Sequence, residues 1–227
     1  MSATTIHFVR HGEVHNPEHV LYERLPGFHL SERGRRMAEA TGRYLAQNPQ
    51  TNTPAAVYSS PLERTRETAG IIIGHLNEAR AERAVVAPDG RALPALELAV
   101  DDRLIEAGNE FRGKRIGHGE GALWKPENLK LVRNLYRPTW GESYRHIADR
   151  MGAFAAEKIA EYAGRQIIVV SHESPIWTFR HLLETGRPEH NMLLRHTALA
   201  SVTSITFDAD TRQVMSITYV DPAANVV

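Results

Sequence analysis

Short runs of β-branched and aromatic residues alternate along this chain with stretches whose apolar positions recur every three or four residues. The first pattern marks strands and the second amphipathic helices. Strands are expected at 5–9, 55–59, 96–100 and 166–170, and a terminal pair at 201–207 and 213–219 reads as a hairpin about 208–211. Strand and helix in alternation predict an α/β fold of three layers, a mostly parallel sheet with helices on both faces.

Three helix starts are readable. Ser31 is placed to cap a helix running to about residue 46, with Met37, Thr41, Tyr44 and Leu45 on its inward side. Ser60-Pro61-Leu62-Glu63 combines a capping serine, a proline in the first turn and a capping-box glutamate. Ser174-Pro175 repeats the signal, for a helix to about residue 184 that Gly186 and Pro188 stop. Between about 107 and 144 the texture changes: Gly113, Gly117, Gly119, Gly121, Pro126, Pro138 and Gly141 are scattered among aromatic and basic residues. This stretch reads as an insertion holding one or two short helices and forming a cover. Its aromatics, Phe111, Trp124, Tyr136, Trp140 and Tyr144, either pack on a substrate or make the insertion's own small core.

Composition narrows the classes. At 227 residues the chain is expected to be one domain, 1–227. Acidic and basic residues balance at 27 each, so no global field points to nucleic acid or an anionic membrane as partner. Cysteine is absent, which removes thiol nucleophiles and thiolate metal sites. A polar start that runs straight into a strand, with no apolar run near ~20 residues, makes the cytoplasm the expected location. His7, His11, His15 and His19 have helical i, i+4 spacing, but their segment is β-branched and broken by Gly12, Asn16 and Pro17, so no metal site is expected there. A homo-oligomer stays open.

The unusual residues fall at strand ends: Arg10-His11-Gly12 after the first, Ser59-Ser60-Pro61 with Arg64 after the second, and Ser171-His172 after the strand at 166–170. Ligands of open α/β sheets sit outside the carboxyl ends of the strands, so these segments are expected to meet there around one anion. Arg64 lies in the first turn of its helix, where the macrodipole disfavours a cation unless an anion is bound beside it. Arg10 favours a neutral imidazole at His11, the nucleophilic form.

Arg10-His11-Gly12-Glu13 with Asn16, Leu30-Ser31-x-x-Gly34, Ser59-Ser60-Pro61-Leu62-x-Arg64-Thr65-x-x-Thr68-Ala69, Leu104-x-Glu106 and Val170-Ser171-His172 occur in this order over nearly the whole chain. Together they resemble the histidine phosphatase superfamily, branch 1, whose members are similar to phosphoglycerate mutase. The resemblance implies His11 as phosphoryl acceptor, Arg10, Arg64 and His172 as a cage for the phosphoryl oxygens, and Glu106 as proton donor, with Glu97 and Glu110 as nearby competitors. Asn16, Gly12 and Glu173 fall around the substrate, and Glu173 stands where the family commonly has glycine. No cofactor or metal is implied, and the partner is a small phosphorylated molecule. A phosphatase is the expected activity, with a mutase or a non-catalytic phospho-ligand binder as alternatives. The mutases carry an arginine pair in the insertion, where Arg133-Asn134-Leu135-Tyr136 keeps only the first, and Asn109 replaces a tyrosine that they place after the acid. Lys114, Arg115 and Arg137 are candidate replacements for the missing charge.

Overall fold

A computed structural model describes residues 2–82, 93–132 and 139–227. Arg133-Asn134-Leu135-Tyr136 and Arg137, on which part of the mutase comparison rests, lie outside the described residues, as does Pro138.

Six strands, β1 (Ala3–Arg10), β2 (Val57–Ser59), β3 (Leu98–Val100), β4 (Gln166–Ser171), β5 (Val202–Asp208) and β6 (Val214–Val220), form one sheet in the order β3-β2-β4-β1-β5-β6. The first four in that order are parallel, and the β5–β6 hairpin adds antiparallel strands beside β1. Five α-helices are described: α1 (Glu32–Gln47), α2 (Glu63–Glu82), α3 (Pro126–Leu131), α4 (Tyr144–Glu161) and α5 (Glu173–Thr185).

Alternation along the strands divides the core into two layers. Ile6 and Phe8 of β1, with Ile167 and Val169 of β4, pack against Ile147, Met151 and Phe154 of α4 and Phe179 of α5. Val9, Val57, Ile168 and Val170 face the other way, onto Leu45 of α1 and Ile72 and Leu76 of α2. Side chains of this size contribute roughly 1.5–3 kcal/mol each when fully buried, so the sheet is held from both sides. The three-layer α/β expectation is met.

Ser31 caps α1 as its sequence suggests, its Oγ accepting from the Gly34 amide at 2.9 Å. Met37, Thr41 and Leu45 are buried, while Tyr44 is only half-buried, at the edge of the stripe. Two helix starts differ from expectation. α2 begins at Glu63, not after Ser60, whose Oγ accepts from His172 Nε2 at 2.8 Å and only distantly, at 3.5 Å, from the Leu62 amide. α5 begins at Glu173 with His172 in the capping position, so Ser174 already lies inside the helix. Gly186, at φ 74°, closes α5 in the left-handed conformation that costs glycine least.

Helix α4 has no counterpart among the expected helices. Ser143 caps it, accepting from the His146 amide, and Tyr144, Ile147, Met151, Phe154 and Ala155 form its buried stripe. Tyr144 is therefore the first residue of a core helix, not part of a cover. Within the insertion, α3 and a 3₁₀ turn at Gly119–Gly121 supply the expected short helices.

Candidate active site

Parallel pairing brings the carboxyl ends of the central strands level. Arg10 lies opposite Ser171, and Ser59 opposite both Val170 and Val100. The His11 amide donates to the Ser171 carbonyl at 3.1 Å, and the Ser60 amide to the Val170 carbonyl at 3.0 Å. Residues distant in sequence thus leave the sheet along one line, as the strand-end argument requires.

His11 is buried, 2% exposed. Its Nδ1 lies 2.7 Å from the Gly12 carbonyl, which can only accept, so Nδ1 carries the proton and Nε2 keeps its lone pair. Burial, then the charges of Arg64 and Arg10, hold the imidazole well below the usual histidine range, and the ring is neutral at pH 7. Gly12 is required by close approach: a Cβ there would stand 2.4 Å from the Gly34 carbonyl oxygen. Its amide donates to Thr68 Oγ1 at 3.1 Å.

Arg64 is the largest fully buried side chain described. Nη2 donates to the Glu23 carbonyl at 2.5 Å, and the guanidinium lies 4.8 Å from the centroid of the Tyr22 ring. The Nη2 group is also 3.3 Å from His172 Nδ1. An arginine cannot accept, so Nδ1 of His172 is the acceptor and Nε2–H donates to Ser60 Oγ at 2.8 Å. Burial and the neighbouring Arg64 charge push the His172 ring well below its ordinary range too, consistent with the neutral tautomer. His11 and His172 meet edge to face, with centroids 5.2 Å apart. Arg10 donates from Nη1 to the Thr197 carbonyl at 2.5 Å and to Glu173 at 3.1 Å. Three buried guanidinium nitrogens, Arg10 Nε, Arg64 Nε and Arg64 Nη1, have no hydrogen-bond partner among the described residues.

Glu106 follows a 3₁₀ turn at Asp102–Leu104 that is anchored to β4, where the Ser171 hydroxyl donates to the Leu104 carbonyl at 2.7 Å. One Glu106 carboxyl oxygen accepts from the Ala107 amide at 2.8 Å, and the other lies 3.9 Å from His172 Nδ1. Burial pushes this carboxyl up, against the opposing pull of its own amide contact and of Arg64. Glu106 lines a cavity of about 280 Å³ together with Arg10, Tyr22, Trp140, Glu173 and Arg195. Glu97 and Glu110 do not line it.

The remaining expected residues have definite surroundings. Asn16 donates to the Val20 carbonyl at 2.8 Å and accepts from the Val20 amide at 3.2 Å, so both ends of its amide are engaged within its own loop. Glu173 is neither free in solvent nor turned away, but paired with Arg10. Trp140 and Tyr144 are buried against the cavity, Phe111 is buried, and Trp124 is 75% exposed. Neither Lys114 nor Arg115 lines the cavity. His7 and His11 belong to an extended strand and its end, and both ring nitrogens of His7 are paired, with Ser204 and Gln166. Among the described residues, no group of three or more histidines and acids is placed to hold a metal ion, and no helix is long and apolar enough to cross a membrane.

Several participants are not foreseen by the sequence reading. Ser60 looks like a cap but holds His172. Tyr22 and Glu23 lie in a loop without periodicity, and Arg195 stands near the far end of the chain with no motif around it. Only tertiary contact reveals them.

The chain belongs to the histidine phosphatase superfamily (branch 1), whose family model matches residues 6–219. It is 41% identical over 221 residues to the uncharacterized protein Rv0525 of Mycobacterium tuberculosis, covering 97% of this chain and 98% of that protein. Among solved structures it is similar to mycobacterial glucosyl-3-phosphoglycerate phosphatase Rv2419c, with a TM-score of 0.68 and 23% identity over 96% of this chain and 97% of that one. It is equally similar to phosphoglycerate mutase from Bacillus anthracis, with a TM-score of 0.69 and 20% identity over 99% and 95%. The superfamily's phosphatases and mutases share phosphoryl transfer, and the fold does not separate them.

Proposed function

We propose that this protein hydrolyses a small-molecule phosphate monoester through a phosphohistidine on His11, without a metal ion. The observation that carries this reading is a neutral, buried imidazole with Nε2 unprotonated, beside three buried guanidinium nitrogens that no atom of the described residues satisfies. Unpaired buried donors are costly, and an oxyanion is the ligand that would satisfy several of them at once.

In the first step Nε2 of His11 attacks phosphorus, the ester P–O bond breaks, and Glu106 gives its proton to the departing oxygen. In the second, Glu106 takes a proton from water as that water attacks phosphorus, and the N–P bond breaks to release phosphate. Arg10 and Arg64 stabilise the charge on the equatorial oxygens throughout. His172, in its neutral form, holds Arg64 in place by accepting from Nη2. Gly12 fixes the His11 tautomer through its carbonyl, Asn16 closes its own loop through Val20, and Glu173 pairs with Arg10.

Hydrolysis is favoured over mutase chemistry by the charge of the cavity. A mutase must hold a second anionic group, yet beyond the cage the cation among the described lining, Arg195, is already engaged by His190 and Tyr144, and the Arg24, Arg112 and Arg150 charges nearby are balanced by Glu23 and Glu142. The protein should therefore release phosphate from an activated aryl phosphate in excess chelator, and rapid quench with labelled substrate should give an acid-labile, alkali-stable phosphoprotein that His11→Ala abolishes. Dependence on a divalent ion, or labelling that persists in the variant, would overturn this mechanism. Primer-dependent conversion of 3-phosphoglycerate to 2-phosphoglycerate with little phosphate released would move the assignment to a mutase.

A further inference from the structure

Glu23 presents a feature that the catalytic cycle leaves unexplained. Its side chain is 3% exposed, yet neither carboxylate oxygen has a hydrogen-bond partner among the described residues. The nearest cations, Arg24 Nε and Arg112 Nε, stand 3.6 Å from Oε1 and Oε2, close enough to balance the charge but outside hydrogen-bond distance. The residue also has φ 38°, in the left-handed region that a side chain of this kind rarely adopts. Such strain persists where surrounding structure enforces it, and here the Glu23 carbonyl is held by Arg64.

Glu23 occupies a junction. Glu23, Gly108, Asn109 and Glu142 line both the cavity beside Glu106 and an adjoining one of about 310 Å³. A leaving group departing past Glu106 therefore meets Glu23. The chemistry of this junction selects among leaving groups. A carboxylate only accepts hydrogen bonds, so the group opposite must donate. A second anion is opposed by Glu23, Glu142 and Glu173, whereas a cation is opposed by Arg24, Arg112 and Arg195 around the same space. Neutral donors remain, and two unpaired oxygens on one carboxylate match adjacent hydroxyls. Tyr22, Trp140 and Tyr144 supply the apolar wall that suits the C–H face of a carbon ring or chain.

We propose that Glu23 is a specificity-determining residue that accepts hydrogen bonds from vicinal hydroxyls of the leaving group, so that the substrates are monophosphates of polyhydroxylated alcohols such as sugars. This rests on the hydrolase reading. Phosphate release by the wild-type protein is compared across hexose and pentose phosphates, butyl phosphate and ethanolamine phosphate, with an aryl phosphate reporting separately on the His11 cage. The expected result is kcat/KM for the best sugar phosphate roughly 10–100-fold above butyl phosphate, because a buried acceptor left unpaired penalises the analogue that lacks a donor. Glu23→Gln keeps the shape but halves the acceptor capacity, and Glu23→Gly keeps the backbone contact to Arg64 while removing the carboxylate. In both, the sugar-to-butyl ratio should fall at least about tenfold, with circular dichroism and a thermal melt verifying the fold. Equal losses on sugar and butyl phosphate, or a wild-type preference for butyl or ethanolamine phosphate, would overturn the proposal. If the wild-type protein fails on the aryl phosphate as well, the hydrolase reading itself fails.

Discussion

The Arg10 guanidinium and the Glu173 carboxylate meet at 3.1 Å, so an arginine of the phosphate cage is partly neutralised by the residue that follows His172. Arg10 is anchored independently by the Thr197 carbonyl, which leaves Glu173 as an internal competitor for the anion. Glu173→Gln should therefore tighten binding of inorganic phosphate or vanadate. An ion pair this accessible contributes up to about 1 kcal/mol, hence roughly fivefold in the inhibition constant. Weaker inhibition in the variant would show that Glu173 serves mainly to orient Arg10.

Glu106→Gln should slow alkyl phosphates far more than activated aryl phosphates. Burial raises the Glu106 pKa, so the acid stays protonated further toward neutral pH, and only a poor leaving group needs its proton. General acid assistance is worth about 10²–10⁴-fold, and the contrast between the two substrate types should fall in that range. The wild-type rate on alkyl phosphates should also decline as pH rises through the Glu106 pKa, a limb that the variant lacks. Equal losses on both substrates would assign the acid elsewhere.

Gly12→Ala tests the close packing beneath His11. The added Cβ would lie 2.4 Å from the Gly34 carbonyl oxygen, a backbone atom that no rotamer change can move. Overpacking of this kind costs about 1–3 kcal/mol, and each kcal/mol lowers the melting temperature of a chain this size by roughly 2–4 °C. The shift also displaces the carbonyl that fixes the His11 tautomer, so phosphoenzyme formation should fall as well. A variant that melts with the wild type would contradict the packing described.

Much of this architecture is legible from local pattern, and the exceptions have physical causes. Short apolar, β-branched runs revealed β1 and β4 because both are buried on two faces, and Ser31 announced α1 because its capping contact is local. Ser60 misleads because the short contact of its hydroxyl is to His172, 112 residues away, while the Leu62 amide reaches it only at 3.5 Å. Helix α4 escapes notice because Ser143 and Tyr144 close a glycine- and proline-rich stretch, and composition masks the periodicity that begins there. Arg10, His11, Arg64, Glu106 and His172 could be picked out because their motifs resemble a family, and the structure brings these five together. Glu23 and Arg195 could not, since their surroundings exist only after the loops have closed on the sheet.

His190 makes the fold acid-sensitive from the side of the cavity. Its ring stacks on Tyr144 with centroids 4.1 Å apart, Nδ1 donates to the Pro188 carbonyl at 2.9 Å, and Nε2 accepts from Arg195 Nε at 2.9 Å. That last contact requires the neutral ring, because protonation would set an N–H against a guanidinium that cannot accept. Burial, opposed by the Pro188 contact and reinforced by Arg195, lowers the pKa from the ordinary 6.5 to about 4. Between those values the unfolded chain binds more protons than the folded one, so the contribution is fully present above pH 6.5 and is lost as pH falls toward 4. His7, His11 and His172, also lowered, act in the same direction, and Glu106, raised, opposes them. Thermal melts from pH 7 to pH 4 should therefore show a falling melting temperature. His190→Gln retains an acceptor for Arg195 without a titrating ring, and its curve should be flatter by about 2–4 °C for each kcal/mol of linkage removed. A variant curve parallel to that of the wild type would place the acid sensitivity in the other histidines and in lowered carboxylates such as Glu142, and leave His190 a packing residue only.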